Sequence, residues 1–151
     1  MLLALVLWLG GIVFFGAVVA PTVFDVLPTH DLAGRVVTRS LGELHVIGMI
    51  CGFVFLACSM TVAFITRGSA QAFAPRHLAV IAMVLLTFVA QNVVARKMLR
   101  LRDSIGVIDN VPVNDSRRVE FNRLHVWSTR LEGCVLLLGL GVLYSQSRRL
   151  S

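Results

Sequence analysis

The chain has 151 residues, of which 57% are hydrophobic and only 15% are charged, and its formal net charge is +6. Soluble domains carry about 25% charged residues, so this composition cannot supply the polar outer faces that a soluble helical bundle needs. The basic excess is not arranged as a basic helix with interleaved aromatics, which argues against a nucleic-acid partner. Basic residues that flank membrane spans explain the charge better.

The first apolar stretch, LLALVLWLGGIVFFGAVVAPTVF, predicts a retained membrane helix over residues 2–24. It has no positive n-region and is longer than the ~7–15 apolar residues of a signal peptide. Pro21 predicts a kinked or loosened turn, and Leu27-Pro28 ends the helix. Trp8 lies near one end of this span and is predicted to be an interfacial anchor, as is Trp127 in the last span.

Three further apolar stretches predict spans over residues 44–65, 78–95 and 124–144, which makes one four-helix transmembrane domain of residues 1–151. A linker that holds Asp31, Arg35 and Arg39 is expected before the second span. The third helix is expected to run past the membrane into a cytoplasmic loop at about 96–123. Turn formers fill residues 104–116, and residues 114–116 are N-cap candidates for the last helix.

The distribution of basic residues predicts the orientation of the bundle, because four spans place both termini on one side. That side has Arg67, Arg76, Arg148 and Arg149, whereas the other has Arg35, Arg39, Arg96, Lys97, Arg100, Arg102, Arg117, Arg118 and Arg123, with Arg130 inside the last span. The positive-inside rule then places the two longer loops in the cytoplasm and the termini outside. We therefore expect a multi-pass protein of the inner (plasma) membrane, with the lipid bilayer as its principal partner.

The last span carries the most informative polar residues. Its uninterrupted apolar part, residues 134–143, is too short to cross a bilayer, so the helix has to draw in His125, Ser128, Thr129, Arg130 and Glu132. A charged group in a span costs about 2.5–3.5 kcal/mol and normally faces the bundle interior. The spacing places His125 and Glu132 on one helix face. Arg130 points elsewhere, and we expect it to reach the headgroups or to pair with Glu43.

The other spans bring further polar residues to the same half of the bundle, whereas the opposite half is almost wholly apolar. This asymmetry predicts a polar cavity open to the cytoplasm, although residues near helix ends also satisfy loop backbones or reach headgroups. The candidate ligand-binding residues are Asp25, Glu43, His45, Gln91, Arg96, His125 and Glu132. Gly48 and Gly52 form a GxxxG pattern, which is typical of close helix packing or of a homodimer.

His45 and His125 both lie about one turn into their spans from the same side, which leaves open a bis-histidine haem site. Two histidines are an incomplete site for most metals, so we predict no metal and no cofactor, with haem as the alternative. His30 and His77 are expected in solvated loops. Three cysteines, Cys51, Cys58 and Cys134, fall in apolar stretches without metal-binding spacing and are expected to be small buried hydrophobes.

Two segments resemble a known family. They are WLGGIVFFGAVVAPTVFDVLP with the following AGRVV, and EFNRLHVWSTRLEG at the entry to the last helix. They are similar to the bacterial four-helix membrane proteins of unknown function that resemble eukaryotic transmembrane protein 205. The residues that carry the resemblance are Gly10, Gly11, Phe14, Phe15, Ala20, Pro21, Phe24, Ala33, Gly34, Phe121, Leu124 and His125. The start of the second helix and the segment at Arg130 and Glu132 depart from the family pattern, so the resemblance assigns those two residues no role.

The resemblance implies a four-helix membrane fold without an established reaction. It also implies a layout similar to copper-resistance membrane proteins and to a haem-binding membrane protoporphyrinogen oxidase. We expect a non-enzymatic protein that handles a small molecule or ion in the polar cavity, or that serves as a subunit of a membrane assembly or homo-oligomer. The alternative is a haem-binding redox protein or enzyme, and copper ranks third because the methionines are scattered.

Overall fold

The computed structural model describes residues 1–69, 73–106 and 110–148. Over these ranges the chain forms four long helices and no strand: α1 Leu2–Val26, α2 His30–Arg67, α3 Pro75–Ile105 and α4 Ser116–Ser147. Each helix is long and apolar enough to cross a membrane. The predicted fold class, an all-α membrane bundle of four helices, is confirmed, and the chain is a multi-pass membrane protein.

The helices extend well beyond the predicted spans at one end of the bundle. With 38 residues, α2 is the longest helix, and at 1.5 Å per residue it measures ~57 Å against ~30 Å of hydrocarbon. The predicted linker is therefore wrong, because Asp31, Arg35 and Arg39 lie in the first turns of α2. Thr29 caps this helix by accepting a hydrogen bond from the Leu32 backbone N–H at 3.2 Å. Asp31 and Arg35 then pair one turn apart at 2.8 Å.

The segment 96–123, expected as a cytoplasmic loop, is helical at both ends. It begins with the last turns of α3, which end at Ile105 before Gly106 in a positive-φ conformation (77°). It finishes with the first turns of α4, where the Asp115 carboxylate accepts from the Arg117 backbone N–H at 2.8 Å. Hydrogen bonds from Arg117 hold the pKa of Asp115 below its usual value.

Trp8 forms the centre of the bundle core and is not an interfacial anchor. Its side chain is 1% exposed and packs against the two glycines of the GxxxG pattern on α2. A Cβ at Gly48 would collide with the indole ring, and one at Gly52 would lie 2.6 Å from Val84 Cγ2. Trp8 of the same chain occupies the space that these glycines leave, so the GxxxG pattern serves close packing of α1 on α2 within the chain. An indole can lie either in the headgroup layer or in a groove lined by glycines. Trp8 lies in the groove because Gly48 and Gly52 leave room for its ring.

The core packing makes a stability prediction for Gly48. We expect Gly48→Ala to lower the free energy of unfolding by about 1–3 kcal/mol, because the new methyl group overpacks the indole. Gly10→Ala is the matched control, since a Cβ there meets nothing within 4 Å and alanine favours the helix. Unfolding in detergent by denaturant or heat measures both. Equal stabilities of the two variants would contradict the packing described for Trp8.

The opposite, apolar end of the bundle holds a small polar cluster that the sequence did not predict. His77, expected in a solvated loop, is 1% exposed and lies in the first turn of α3. Its Nε2 is 2.8 Å from Ser59 Oγ of α2, and Arg76 Nε donates to the same hydroxyl at 3.2 Å. Burial became possible because Ser59 supplies a partner for the imidazole. His30 is exposed as expected, but it belongs to α2 and its ring lies 6.0 Å from that of Phe24.

The cysteines are free and differ in their surroundings. Cys51 is buried in the core, whereas Cys58 and Cys134 are exposed on helix surfaces. The expectation that all three cysteines are buried is therefore wrong for Cys58 and Cys134. Their positions in long apolar helices place them on surfaces that lipid would cover.

Two wider π-helical segments interrupt α1 and α3: Phe15–Val19 and Ala90–Ala95. The first immediately precedes Ala20-Pro21, and a proline ring disrupts the regular hydrogen-bond pattern of the preceding turn. This is the loosening that Pro21 predicts. The second has no proline, but Asn92 Nδ2 donates to the Phe88 carbonyl at 3.1 Å where the pattern shifts. Segments of this kind are frequent at functional sites.

Candidate functional site

Three polar side chains from three helices meet in the interior of the bundle. His45 of α2 is 3% exposed; its Nδ1 lies 2.9 Å from Gln91 Oε1 of α3. On the other side of the ring, His45 Nε2 is hydrogen-bonded to Glu132 Oε1 of α4. The Glu132 side chain is 16% exposed, more than that of His45 at 4%, so Glu132 is the more accessible member of the pair. Charged groups at this depth are expected to be paired, and the structure provides that pairing.

Local backbone features bring these three side chains together. Gln91 lies in the π segment of α3, where the extra residue per turn changes the direction of the side chain. Opposite it, α2 has Gly42, and a Cβ there would lie 3.2 Å from Gln91 Nε2. The glycine therefore leaves room for the amide to approach α2 and reach His45.

The hydrogen bonds define where protons sit in this cluster. Because Gln91 Oε1 can only accept, His45 Nδ1 carries a hydrogen and donates to it. One further proton is then shared between His45 Nε2 and Glu132. It gives either an imidazolium with a carboxylate or a neutral imidazole with a carboxylic acid. Both arrangements have zero net charge, which suits a site of low dielectric constant. The cluster can thus hold one proton without a net charge in the bundle, whereas loss of that proton would leave the Glu132 carboxylate uncompensated.

The cluster lies on the wall of a cavity of about 680 Å³. All four helices contribute to the walls, at the end of the bundle where the helices are extended. The lining residues on α2 and α3 include Gly34, His45, Met98 and Arg102, which are buried. Those on α1 and α4 include Gly16, Phe24, Asn122, His125 and Thr129, which are exposed. The cavity therefore has a closed back wall of α2 and α3 and an open front between α1 and α4.

The opening follows from how α1 packs along its length. Its first part, Leu2–Phe14, packs against both α2 and α4, whereas Ala20–Val26 packs against α2 without comparable contact with α4. The change occurs across the π segment Phe15–Val19. The gap between α1 and α4 therefore opens on the side of the bundle.

The predicted site residues divide into two groups. His45, Gln91, His125 and Glu132 line the cavity, and the first, second and fourth are directly bonded. Asp25, Glu43 and Arg96 are exposed and do not belong to the cavity lining. Arg130 is also exposed, and its guanidinium lies over the Trp127 ring at 5.7 Å. In the described part of the chain it forms no ion pair with Glu43.

Sequence reasoning missed Arg102 and Arg118, which both line the cavity. Arg102 was counted only among the basic residues that flank the membrane. Its spacing gave a usable signal, because Gln91, Ala95, Met98 and Arg102 recur at i, i+4, i+7 and i+11 and share one face of α3. The structure places all four on the cavity wall.

The geometry bears on the haem alternative. His45 and His125 line the same cavity, but both ring nitrogens of His45 are engaged by Gln91 and Glu132. Ligation of iron through Nε2 would require the bond to Glu132 to break. Among the described residues no group of three or more His, Cys, Asp or Glu is placed to hold a metal ion.

A family model described as a domain of unknown function, DUF4149, matches residues 3–106. The chain belongs to this family. The match covers α1, α2 and α3 with His45, Gln91 and Arg102, whereas α4 with Glu132 lies outside it. No curated protein and no solved structure matches the chain.

Removing the Glu132 side chain should destabilise the fold, because it leaves the buried imidazole of His45 without a partner at Nε2. We expect Glu132→Ala to lower the free energy of unfolding by about 1–3 kcal/mol, since His45 Nε2 loses its partner. Glu43→Ala is the matched control, because that carboxylate is exposed and should matter by no more than about 0.5 kcal/mol. Chemical unfolding in detergent measures both variants. A loss of the same size in each would show that the bond to His45 contributes nothing.

Proposed function

We propose that this protein binds a small molecule in the cavity between its four helices, without catalysing a reaction. The observation that carries the proposal is the cavity of about 680 Å³ with the His45–Glu132 pair on its wall. Ligand sites typically measure about 300–1,000 Å³, with apolar walls and a few placed polar groups. The walls here include Ile12, Phe15 and Leu41 together with that polar pair.

The polar cluster gives the cavity a chemical role beyond simple enclosure. A ligand that reaches Glu132 can exchange a hydrogen bond, or a proton, with the pair that His45 and Gln91 hold in place. The apolar residues around it exclude bulk water and so strengthen such contacts. This supports a molecule in the cavity more than a bare ion, because an ion would leave most of the volume unfilled.

A cavity-filling substitution tests the proposal. Gly16 lines the cavity, and a Cβ there meets nothing within 4 Å, so Gly16→Trp places an indole in free space. We expect native mass spectrometry of the protein, extracted with its own lipids in nanodiscs, to show a bound molecule that Gly16→Trp loses. Gly10→Trp is the matched control, because Gly10 also has open space but lies outside the cavity lining.

The same samples separate the remaining hypotheses. If the wild type and Gly16→Trp carry the same bound molecules, the cavity is not the binding site and the proposal is wrong. A visible absorption spectrum, oxidised and reduced, tests the haem alternative, since a Soret band lost in His45→Ala or His125→Ala would replace the proposal with a redox function. A partner protein recovered equally with all variants would favour the assembly-subunit hypothesis.

We further propose that the protein resides in the inner membrane, with the extended basic end of the bundle in the cytoplasm. The support is the excess of Arg and Lys at that end. The resemblance to eukaryotic transmembrane protein 205 stays a prediction from the residues quoted above.

Cysteine labelling in intact cells tests the orientation. Ser116 and Ser69 are exposed at opposite ends of the bundle. We expect a membrane-impermeant maleimide to label Ser69→Cys, and to label Ser116→Cys only after the membrane is permeabilised. The unsubstituted protein controls for its three natural cysteines. Labelling of Ser116→Cys but not Ser69→Cys in intact cells would reverse the orientation.

A further inference from the structure

Arg102 is a buried cation on the cavity wall that the proposed function does not use. It is 5% exposed and lies between α2 and α4. A Cβ at Gly34 would collide with its Nη2, and its guanidinium carbon is 5.2 Å from the centre of the Phe121 ring. The absence of a side chain at position 34 and the aromatic face at 121 together form a slot for the guanidinium.

The pairing of Arg102 is incomplete within the described chain. Its Nε is buried without a hydrogen-bond partner there and lies 3.6 Å from Asp31 Oδ1. The same carboxylate receives the Arg35 Nε at 2.8 Å, so one acidic group serves two guanidinium groups. A buried charge is costly unless it is paired and hydrogen-bonded, and a guanidinium has five N–H donors to satisfy. Arg102 can therefore accept a further anionic partner.

Other charges at this end strengthen the positive potential. Arg118 is half-buried on the cavity wall, where its Nη1 donates to the Val111 carbonyl. His30 and His125 also line the cavity, where a neutral imidazole can donate a hydrogen bond to an anion. On the acidic side Asp103 follows Arg102 on α3 but is exposed. The inner end has no net charge to compete, since His45 and Glu132 neutralise each other.

The remaining walls suit an apolar chain. Glu132 follows Arg118 by 14 residues on α4, so the two side chains are separated by ~21 Å along the helix axis at 1.5 Å per residue. Ile12, Phe15, Leu44 and Met98 line this length. The front opens between α1 and α4, so a molecule with a tail could enter sideways from the bilayer.

We propose that the cavity takes an anionic amphipath, with an acidic head, carboxylate or phosphate, on Arg102 beside Arg118 and an apolar tail between α1 and α4. This inference rests on the proposed function and names the class of its ligand. Arg102 supplies charge-assisted hydrogen bonds to the head, which are the strongest that a side chain offers to carboxylate or phosphate.

Four probes with the same tail test the inference: dodecanoate, dodecyl phosphate, dodecanol and dodecylamine. Each is titrated against the protein in phosphatidylcholine nanodiscs, with empty nanodiscs as the correction for partitioning. We expect at least one of the two anions to bind about tenfold or more tightly than dodecanol, because hydrogen bonds to a charged group contribute on that scale. The better anion identifies the head group.

Variants assign that preference to Arg102. Arg102→Met should remove the preference for the anion while dodecanol binding stays unchanged. Arg100→Met is the matched control, because Arg100 is exposed on the same helix and should keep the preference. If Arg102→Met does not fold, Arg102→Lys replaces it, since it keeps the charge and should bind the anion more weakly than the wild type but more tightly than dodecanol.

Different results overturn the two proposals. If dodecanol or dodecylamine binds as tightly as both anions, and Gly16→Trp abolishes that binding, the cavity is a ligand site but the acidic head is wrong. An anion preference that Arg102→Met retains would also reject the role of Arg102. If no probe binds the wild type above the level of Gly16→Trp, the proposed function itself fails.

Discussion

Burial of Trp8 against Gly48 and Gly52 is the contact on which the arrangement of the four helices depends. It brings α1 close to α2 through the half of the bundle that is almost wholly apolar. Beyond the π segment Phe15–Val19, α1 keeps its contact with α2 but leaves α4. The packing of α1 therefore explains both halves of the bundle. Trp8 holds the first part of α1 against its neighbours, and the wider turn before Pro21 is where α1 separates from α4. The cavity exists because the second half lacks an equivalent of Trp8.

The polar groups around the cavity follow two different physical strategies. Near the middle of the bundle, His45 and Glu132 satisfy each other with a shared proton, so that the low-dielectric interior contains no net charge. At the extended end, Arg102 keeps its charge and relies on a carboxylate that it shares with Arg35. Within the described chain both ring nitrogens of His45 have hydrogen-bond partners, whereas Arg102 Nε has none. This difference is why the end at Arg102, and not the middle, is the better place for an external anion.

Much of the fold follows from the sequence, because lipid as a solvent leaves few alternatives to four apolar helices. The convergence of His45, Gln91 and Glu132 was also accessible, since helical spacing and a shared membrane side restrict where such residues can go. Three features were not. Trp8 suits a headgroup layer or a core equally well until its glycine partners are known. The burial of His77 depends on a polar partner, Ser59 of α2, that the sequence does not link to it. The start of α2 at His30 depends on the Thr29 cap and on the Asp31–Arg35 pair, whose charges resemble those of a linker.

The π segment of α3 has a consequence for how the cavity wall is encoded. A wider turn contains one residue more than a regular helix needs, so Ala90–Ala95 is in effect a single-residue insertion within a continuous helix. Deleting one residue there would restore a regular helix and leave the later residues facing as they do, whereas a regular helix that kept all six residues would rotate everything after the segment by about 100°. In that regular helix Ala95, Met98 and Arg102 would turn away from the cavity together, while His77 and Met83 stayed in place. The register of one turn therefore sets which face of the last third of α3 looks inward, independently of which residues that face carries.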